Sequence, residues 1–494
     1  MPEERVNSLG LNWQDLFNPS LAIYANRDLD MSPIKLIGFD MDHTLAVYKK
    51  RPMEQLQYVQ ARAFLVEHMN YPEAILTTNY EADSAIRGLV IDKLLGNILK
   101  LDDQNCVWRA CHGKRALSKE QVATSYGTKR VKISDDRFYT LDTFFSIPEA
   151  CLFVDILDCL EAPPSVQLPK ELCQPNGDSP NFEKIFQDIR FAMDSIHSNG
   201  QLKSIICGRL EDFIVQDRSI AQALRKMRAE GKKTFLLTNS NFSYTDTVLS
   251  FVLGEPSAPN KAWVDLFDWV ITSASKPKFF TENLPFVEKP ALQKKMLEGG
   301  NIYDFQNMTG CFGREVLYVG DHIYGDVVRT KKESFWRTCL IIKELNFDIR
   351  KSIELKHKIH ALQEIHLEQL RSDKKLMRLR TLRAMIQNRA QGAALDEQEA
   401  LQLLDLIHIE IKQATSTLRN LTSSYAQLSR TIDDHFHPRW GRLFREEREL
   451  SRFGAQVRQY ACVYTDHVKN FLHYGANHTF LARTKHMSHE TEDD

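Results

Sequence analysis

The chain of 494 residues carries no excess of either charge: 64 Lys and Arg against 65 Asp and Glu leave a formal net charge of -1. That balance excludes a global basic field of the kind that draws a protein to nucleic acid or to an anionic membrane. No apolar run is long enough to cross a bilayer. The first residues, Met1-Pro2-Glu3-Glu4-Arg5, are polar and lack the apolar stretch of a secretory signal. There are nine cysteines and no CxxC pair, which argues against a zinc site and against a disulfide framework. Scattered thiols of this kind fit a reduced, cytoplasmic protein. No internal repeat is present. What remains is ordinary for a globular chain, 43% hydrophobic and 26% charged, and its length predicts two or three domains.

The stretch that organises the rest is Gly38-Phe39-Asp40-Met41-Asp42-His43-Thr44-Leu45. The apolar segment before it, Ile34 to Phe39, is short enough for a buried strand. Asp40 and Asp42 therefore stand just past a strand end, where open α/β sheets bind ligands. Positions i and i+2 of an extended segment face one side, and two neighbouring carboxylates call for a cation or a shared proton. A hard cation such as Mg²⁺ suits oxygen ligands. An isolated DxD is more often a solvated strand end, so the polar clusters further along the chain decide between the two.

Four more apolar runs read as strands: Thr234 to Leu237, Trp269 to Ile271, Val316 to Val319 and Thr338 to Ile342. They lead into Thr238-Asn239-Ser240, Lys276 and Gly320-Asp321 with Asp326. Strands alternating with helical patterns predict an α/β fold, a Rossmann-like parallel sheet with helices on both faces. Nearly two hundred residues separate Thr44 from Thr238, which predicts an inserted cap lobe. From about 350 apolar residues recur every three or four, Ile359, Leu362, Ile365 and Leu376 to Leu382, then Leu401 to Ile411 past a break at Gly392, predicting two long paired helices. The domains expected are a core of 1–50 and 205–345, a cap of 51–204 and a helical C-terminal region of 346–494, where long apolar stripes suit subunit contacts.

The four polar clusters together supply one chemistry, phosphoryl transfer through an aspartyl intermediate. Asp40 is the candidate nucleophile, Asp42 the proton donor and acceptor, and Asp321 with Asp40 the Mg²⁺ ligands. Thr238 and the backbone at Asn239 would bind phosphate oxygens, and Lys276 would neutralise nucleophile and phosphate.

The order DxDxT, Thr-Asn-Ser, Lys, GDxxxxD resembles the haloacid dehalogenase superfamily. The longer strings GFDMDHTLAVYK, FLLTNS, SKPKFF and YVGDHIYGD resemble the cytosolic purine 5′-nucleotidase II family, and the likeness runs from about Ile23 to His489. The resemblance implies Asp42 as a further metal ligand through its carbonyl, Asp326 beside Asp321, and Ser240 at the substrate. It also maps purine recognition onto the cap, with Phe145 stacking on the base and Arg190, Asp194, His197 and Lys203 around it. Arg190, Asp194 and His197 fall at i, i+4 and i+7 on one helical face. An Asp accepting N1–H and an Arg donating to O6 select inosine and guanosine monophosphates over adenosine monophosphate.

The resemblance further implies a homotetramer and a purine-nucleotide effector site at Lys132, Asp142, Tyr324, Lys332, Gln456 and Tyr460. Lys132, Asp142 and Tyr324 depart from the family's pattern, and a carboxylate at Asp142 predicts weak activation by adenosine triphosphate. Two alternatives stay open beside the nucleotidase: a nucleoside phosphotransferase using the same intermediate, and an idle scaffold acting through the long helices. The intact set Asp40, Asp42, Lys276 and Asp321 favours an enzyme.

Overall fold

The computed structural model describes residues 18–127, 130–133, 136–161, 169–174, 179–254, 262–288, 296–323, 326, 334–391 and 396–483. Nine strands of these form one sheet: β1 (Tyr24–Ala25), β2 (Leu36–Phe39), β3 (Lys233–Leu237), β4 (Trp269–Thr272), β5 (Phe286–Glu288), β6 (Met296–Gly299), β7 (Val316–Gly320), β8 (Arg337–Ile341) and β9 (Val463–Thr465). Their order is β1-β9-β8-β7-β2-β3-β4-β6-β5. Neighbours from β9 to β6 run parallel, and β1 and β5 close the two edges antiparallel. The fold is the expected α/β class with a parallel sheet.

Alternation along the strands builds a core on each face of the sheet. Ile37 and Phe39 join Leu236, Val270, Leu317 and Val319 on one side. Leu36 joins Phe235, Leu237, Ile271, Val316 and Tyr318 on the other. Gly38 makes this packing possible, because a Cβ there would lie 2.1 Å from the Phe235 ring.

The segment between β2 and β3 contains α1 (Lys50–Met69), α2 (Ser146–Glu161), α3 (Phe182–Ser198) and a five-stranded antiparallel sheet drawn from residues 90–140. α1 packs on α2 and α3. α3 starts where Asn181 caps it, accepting from the Lys184 N–H at 3.1 Å, and stops before Gly200 at φ +78°.

By compactness the chain divides into residues 1–347 with 449–494, and residues 348–448. The second unit is an antiparallel helix pair, α4 (Lys356–Gln391) and α5 (Glu397–Phe436), with Asp396 capping α5. Leu355, Leu362, Ile432 and Phe436 pack at one end of the pair, and Ile386, Ala400 and Ile407 at the other. The expected break at Gly392 lies outside the described residues. The reading of 346–494 as one helical region is corrected here: after the pair the chain supplies β9, which pairs with β8 in the register Cys339↔Val463. A three-residue strand shows too little periodicity to be read from sequence.

Candidate active site

β2 lies between β7 and β3, because the chain runs outward from β2 through β3 and β4 and later crosses back to place β7 and β8 on its other side. Such a switch point opens a crevice at the carboxyl ends of the strands. Asp40 follows β2, Thr238 follows β3, Lys276 follows β4 and Asp321 follows β7.

The Lys276 ammonium stands 3.0 Å from Asp40 Oδ1 and 2.8 Å from Asp326 Oδ1, and donates to the Tyr318 hydroxyl at 2.9 Å. The Met41 N–H donates to Asp40 Oδ1 at 2.7 Å. Burial pushes the Asp40 carboxyl well above the usual range, against the opposing pull of Lys276. Burial works to lower the Lys276 pKa, but Asp326 and Asp40 overcome it and hold the amine protonated. Lys276 is placed by Asn239, whose side-chain amide accepts from the Lys276 N–H at 2.6 Å and donates to its carbonyl at 3.0 Å. Asn239, expected to bind phosphate through its backbone, thus orients the lysine loop with its side chain.

Asp40, Asp321 and Asp326 offer carboxylate oxygens that all lie within 4.8 Å of one another, an arrangement fit for one hard cation. Burial and then Asp326 push the Asp321 carboxyl up to about 7, while Arg87 and Lys276 oppose them. A divalent ion would remove the conflict among these acids. Gly320 is required for the grouping, since a Cβ there would sit 2.4 Å from Asp326 Oδ2.

The Asp42 carboxylate stands outside that group. It accepts from the Tyr48 hydroxyl at 2.6 Å and from Ser240 Oγ at 3.0 Å, and Tyr48 in turn meets the Tyr244 hydroxyl at 2.8 Å. Burial raises the Asp42 pKa, with Tyr48 and Ser240 opposing. A carboxyl raised toward neutrality is suited to both giving and taking a proton. Ser240, expected at the substrate, here fixes Asp42. The Thr238 hydroxyl is buried and accepts from the Ser240 N–H at 3.1 Å. The loop after Asp42 folds back on the Met41 carbonyl, which accepts from the Leu45 and Ala46 N–H groups at 3.0 and 2.9 Å. His43 adopts φ +56° in that turn.

A separate open pocket of about 370 Å³ is lined by Phe145, Glu149, Arg190, Met193, Asp194, His197 and Ser198. The structure brings together four of the five cap residues named from the sequence, and adds Glu149. Arg190 donates to Glu149 Oε1 at 2.6 Å and to the Tyr139 hydroxyl at 2.9 Å, and lies 3.5 Å from Asp194. Burial pushes Glu149 up to about 7, with Arg190 opposing. Burial pushes His197 down to about 4, so its ring is neutral at pH near 7 and meets Phe145 edge-on at 5.4 Å. Phe145 also touches the His43 ring at 4.9 Å, joining the pocket to the turn after Asp42. Lys203, the fifth, lies 5.1 Å over the Tyr244 ring.

Of the expected effector residues, Tyr324 and Lys332 lie outside the described residues. Lys132 is exposed. Asp142 is half-buried, with its enclosed Oδ1 lacking a hydrogen-bond partner among the described residues, and desolvation raises its pKa against His322, Arg452 and Arg87. Gln456 and Tyr460 follow Arg452 at i+4 and i+8 on one short helix, Arg452–Tyr460. Arg452 is the charge beside Asp142 that the motif reading missed.

A family model described as the 5' nucleotidase family matches residues 23–492. The chain belongs to the 5′ nucleotidase family. Within it, a 5'-nucleotidase domain-containing protein of Dictyostelium discoideum is 26% identical over 490 residues, covering 95% of this chain and 74% of its own length. The human 5'-nucleotidase domain-containing protein 2 is 28% identical over 501 residues, covering 96% and 86%. A solved structure of a predicted phosphoglycolate phosphatase from Haemophilus somnus covers 63% of this chain and 86% of its own at 14% identity, with a TM-score of 0.26 too low to bear on function. Membership in the 5′ nucleotidase family agrees with the motif resemblance and supports nucleotidase or phosphatase chemistry at this site. Among the described residues no helix is long and apolar enough to cross a membrane.

Proposed function

We propose that this chain is a Mg²⁺-dependent 5′-nucleotidase that hydrolyses purine nucleoside 5′-monophosphates, inosine and guanosine monophosphate foremost, through a phosphorylated Asp40. The observation that carries the reading is the pairing of two differently held carboxylates at one strand end. Asp40 lies against Lys276 and the acid group, and Asp42 lies against Tyr48 and Ser240.

The Asp40 carboxylate attacks phosphorus, and the bond to the 5′-oxygen breaks as the protonated Asp42 gives that oxygen its proton. The nucleoside leaves. Asp42, now ionised, takes a proton from water as the water oxygen attacks the phosphoryl group; the bond from phosphorus to Asp40 breaks, phosphate is freed, and the Asp40 carboxylate and the protonated Asp42 are restored. Tyr48 and Ser240 hold Asp42 in one orientation through both halves. Lys276 offsets the negative charge that gathers at Asp40. A Mg²⁺ held by Asp40, Asp321 and Asp326 supplies charge neutralisation for the phosphate when bound.

The base enters the pocket over Phe145. Arg190 donates to O6 and Asp194 accepts from N1–H, while Glu149 fixes the guanidinium from behind. Adenine presents the opposite donor and acceptor pattern and leaves both groups unpaired, at a cost of about 1 to 3 kcal/mol each. The test is phosphate release from inosine, guanosine, adenosine and cytidine monophosphates with Mg²⁺. Inosine and guanosine monophosphates are expected to lead in kcat/KM by at least about tenfold. Equal values for adenosine and inosine monophosphates would show that Arg190 and Asp194 do not read the base.

A further inference from the structure

Arg87 belongs to no motif, yet its side chain is wholly buried. It precedes Gly88, which sits at φ +81° where a Cβ would lie 2.6 Å from the Phe453 side chain. The backbone there is pressed close, with the Gly88 N–H donating to the Leu141 carbonyl at 2.8 Å. The guanidinium is held between the Phe144 ring at 4.2 Å and the Phe453 ring at 5.0 Å. Its Nε and Nη2 grip the two oxygens of Glu344 at 2.8 and 2.6 Å. Its Nη1 donates to the main-chain carbonyl of Asp321 at 3.2 Å.

A buried guanidinium is costly to desolvate, and an apolar side chain of equal volume would fill the space between two phenyl rings at less cost. The charge therefore marks a directed contact. Asp321 follows β7 and Glu344 follows β8, so one planar fork from the inserted segment brackets two adjacent strand ends. Fixing the Asp321 carbonyl fixes the peptide that aims its carboxylate at Asp40 and Asp326. We infer that Arg87 is a positioning residue that anchors the inserted segment to the Asp321 backbone and so holds the carboxylate group in its cation-binding arrangement. The inference rests on the reading of Asp40, Asp321 and Asp326 as a cation site.

Residues that orient metal ligands typically change affinity by about 10- to 100-fold when replaced. Lysine keeps the charge of Arg87 but lacks the planar fork that grips Glu344 while reaching the carbonyl. The experiment is calorimetric titration of the full chain with Mn²⁺ alone, without nucleotide, for the parent, Arg87→Lys, Glu344→Gln and Phe453→Leu. Arg87→Lys and Glu344→Gln are expected to bind Mn²⁺ at least about tenfold more weakly. Phe453→Leu loosens the packing but keeps the hydrogen bonds, and is expected to bind as the parent does. Parent-like affinity in Arg87→Lys and Glu344→Gln overturns the inference, as does an equal loss in Phe453→Leu. Should Arg87→Lys fail to fold, Glu344→Gln decides alone. A parent that binds no Mn²⁺ overturns both this inference and the cation site it rests on, whereas parent-like binding in the variants overturns this inference only.

Discussion

Glu54 is buried, with one oxygen accepting from Tyr80 and the other without a partner among the described residues. Burial pushes its carboxyl from 4.5 up to about 7. A folded pKa above the unfolded one contributes stability that is fully present below the unfolded value and is lost as pH rises through the folded value. The parent therefore loses roughly 3 kcal/mol from this group between about pH 4.5 and pH 7 and above. Glu54→Gln is expected to gain on the parent by that order from about pH 5 to about pH 8, read by urea unfolding at each pH. An unchanged difference between the two would refute it. Gly320→Ala acts on the site directly, because the new Cβ would lie 2.4 Å from Asp326 Oδ2. It is expected to raise the Mg²⁺ concentration for half-maximal phosphate release by at least about tenfold, with no more than a modest change in unfolding midpoint. At this scale the motif residues were legible, since Asp40, Lys276 and Asp321 each follow a recognisable strand and Asp326 completes the GDxxxxD string. Their partners were not. Tyr48, Tyr244, Glu149 and Arg87 act from other elements, and Glu149 meets Arg190 across a separation of 41 residues. A charged residue in the apolar first half of α2, ahead of Asp155 and Asp158, was the available signal for Glu149.

The helix pair and the long strands were visible because their periods run over many residues. β1, β5 and β9 were not: each is two or three residues long and is defined by its neighbour's hydrogen bonds. The pocket on α3 was partly legible, because spacing of four places Arg190 and Asp194 on one face, while the contribution of α2 came only with the fold. In the helix pair, Ile432 is fully buried among Leu355, Leu362 and Phe436. Ile432→Ala is expected to cost about 2 to 5 kcal/mol at that end of the pair. Hydrogen exchange should quicken over residues 355–362 and 428–436, and exchange unchanged there would contradict the packing described.

Across the whole molecule, the proposed function assigns the phosphoryl chemistry to the parallel sheet and the base pocket to the segment inserted between β2 and β3. The two meet where Phe145 touches His43. The claim on which the account stands is that phosphate passes through Asp40. The most direct measurement is rapid acid quench during turnover of inosine monophosphate, with mass spectrometry of the peptides. In Asp42→Asn, where removal of the proton acceptor slows water attack, one phosphoryl group is predicted on Asp40, and none should appear there in Asp40→Asn, which should also release no phosphate. Phosphate release by Asp40→Asn at the parent's rate, or a phosphoryl group trapped on a different residue, would contradict the account.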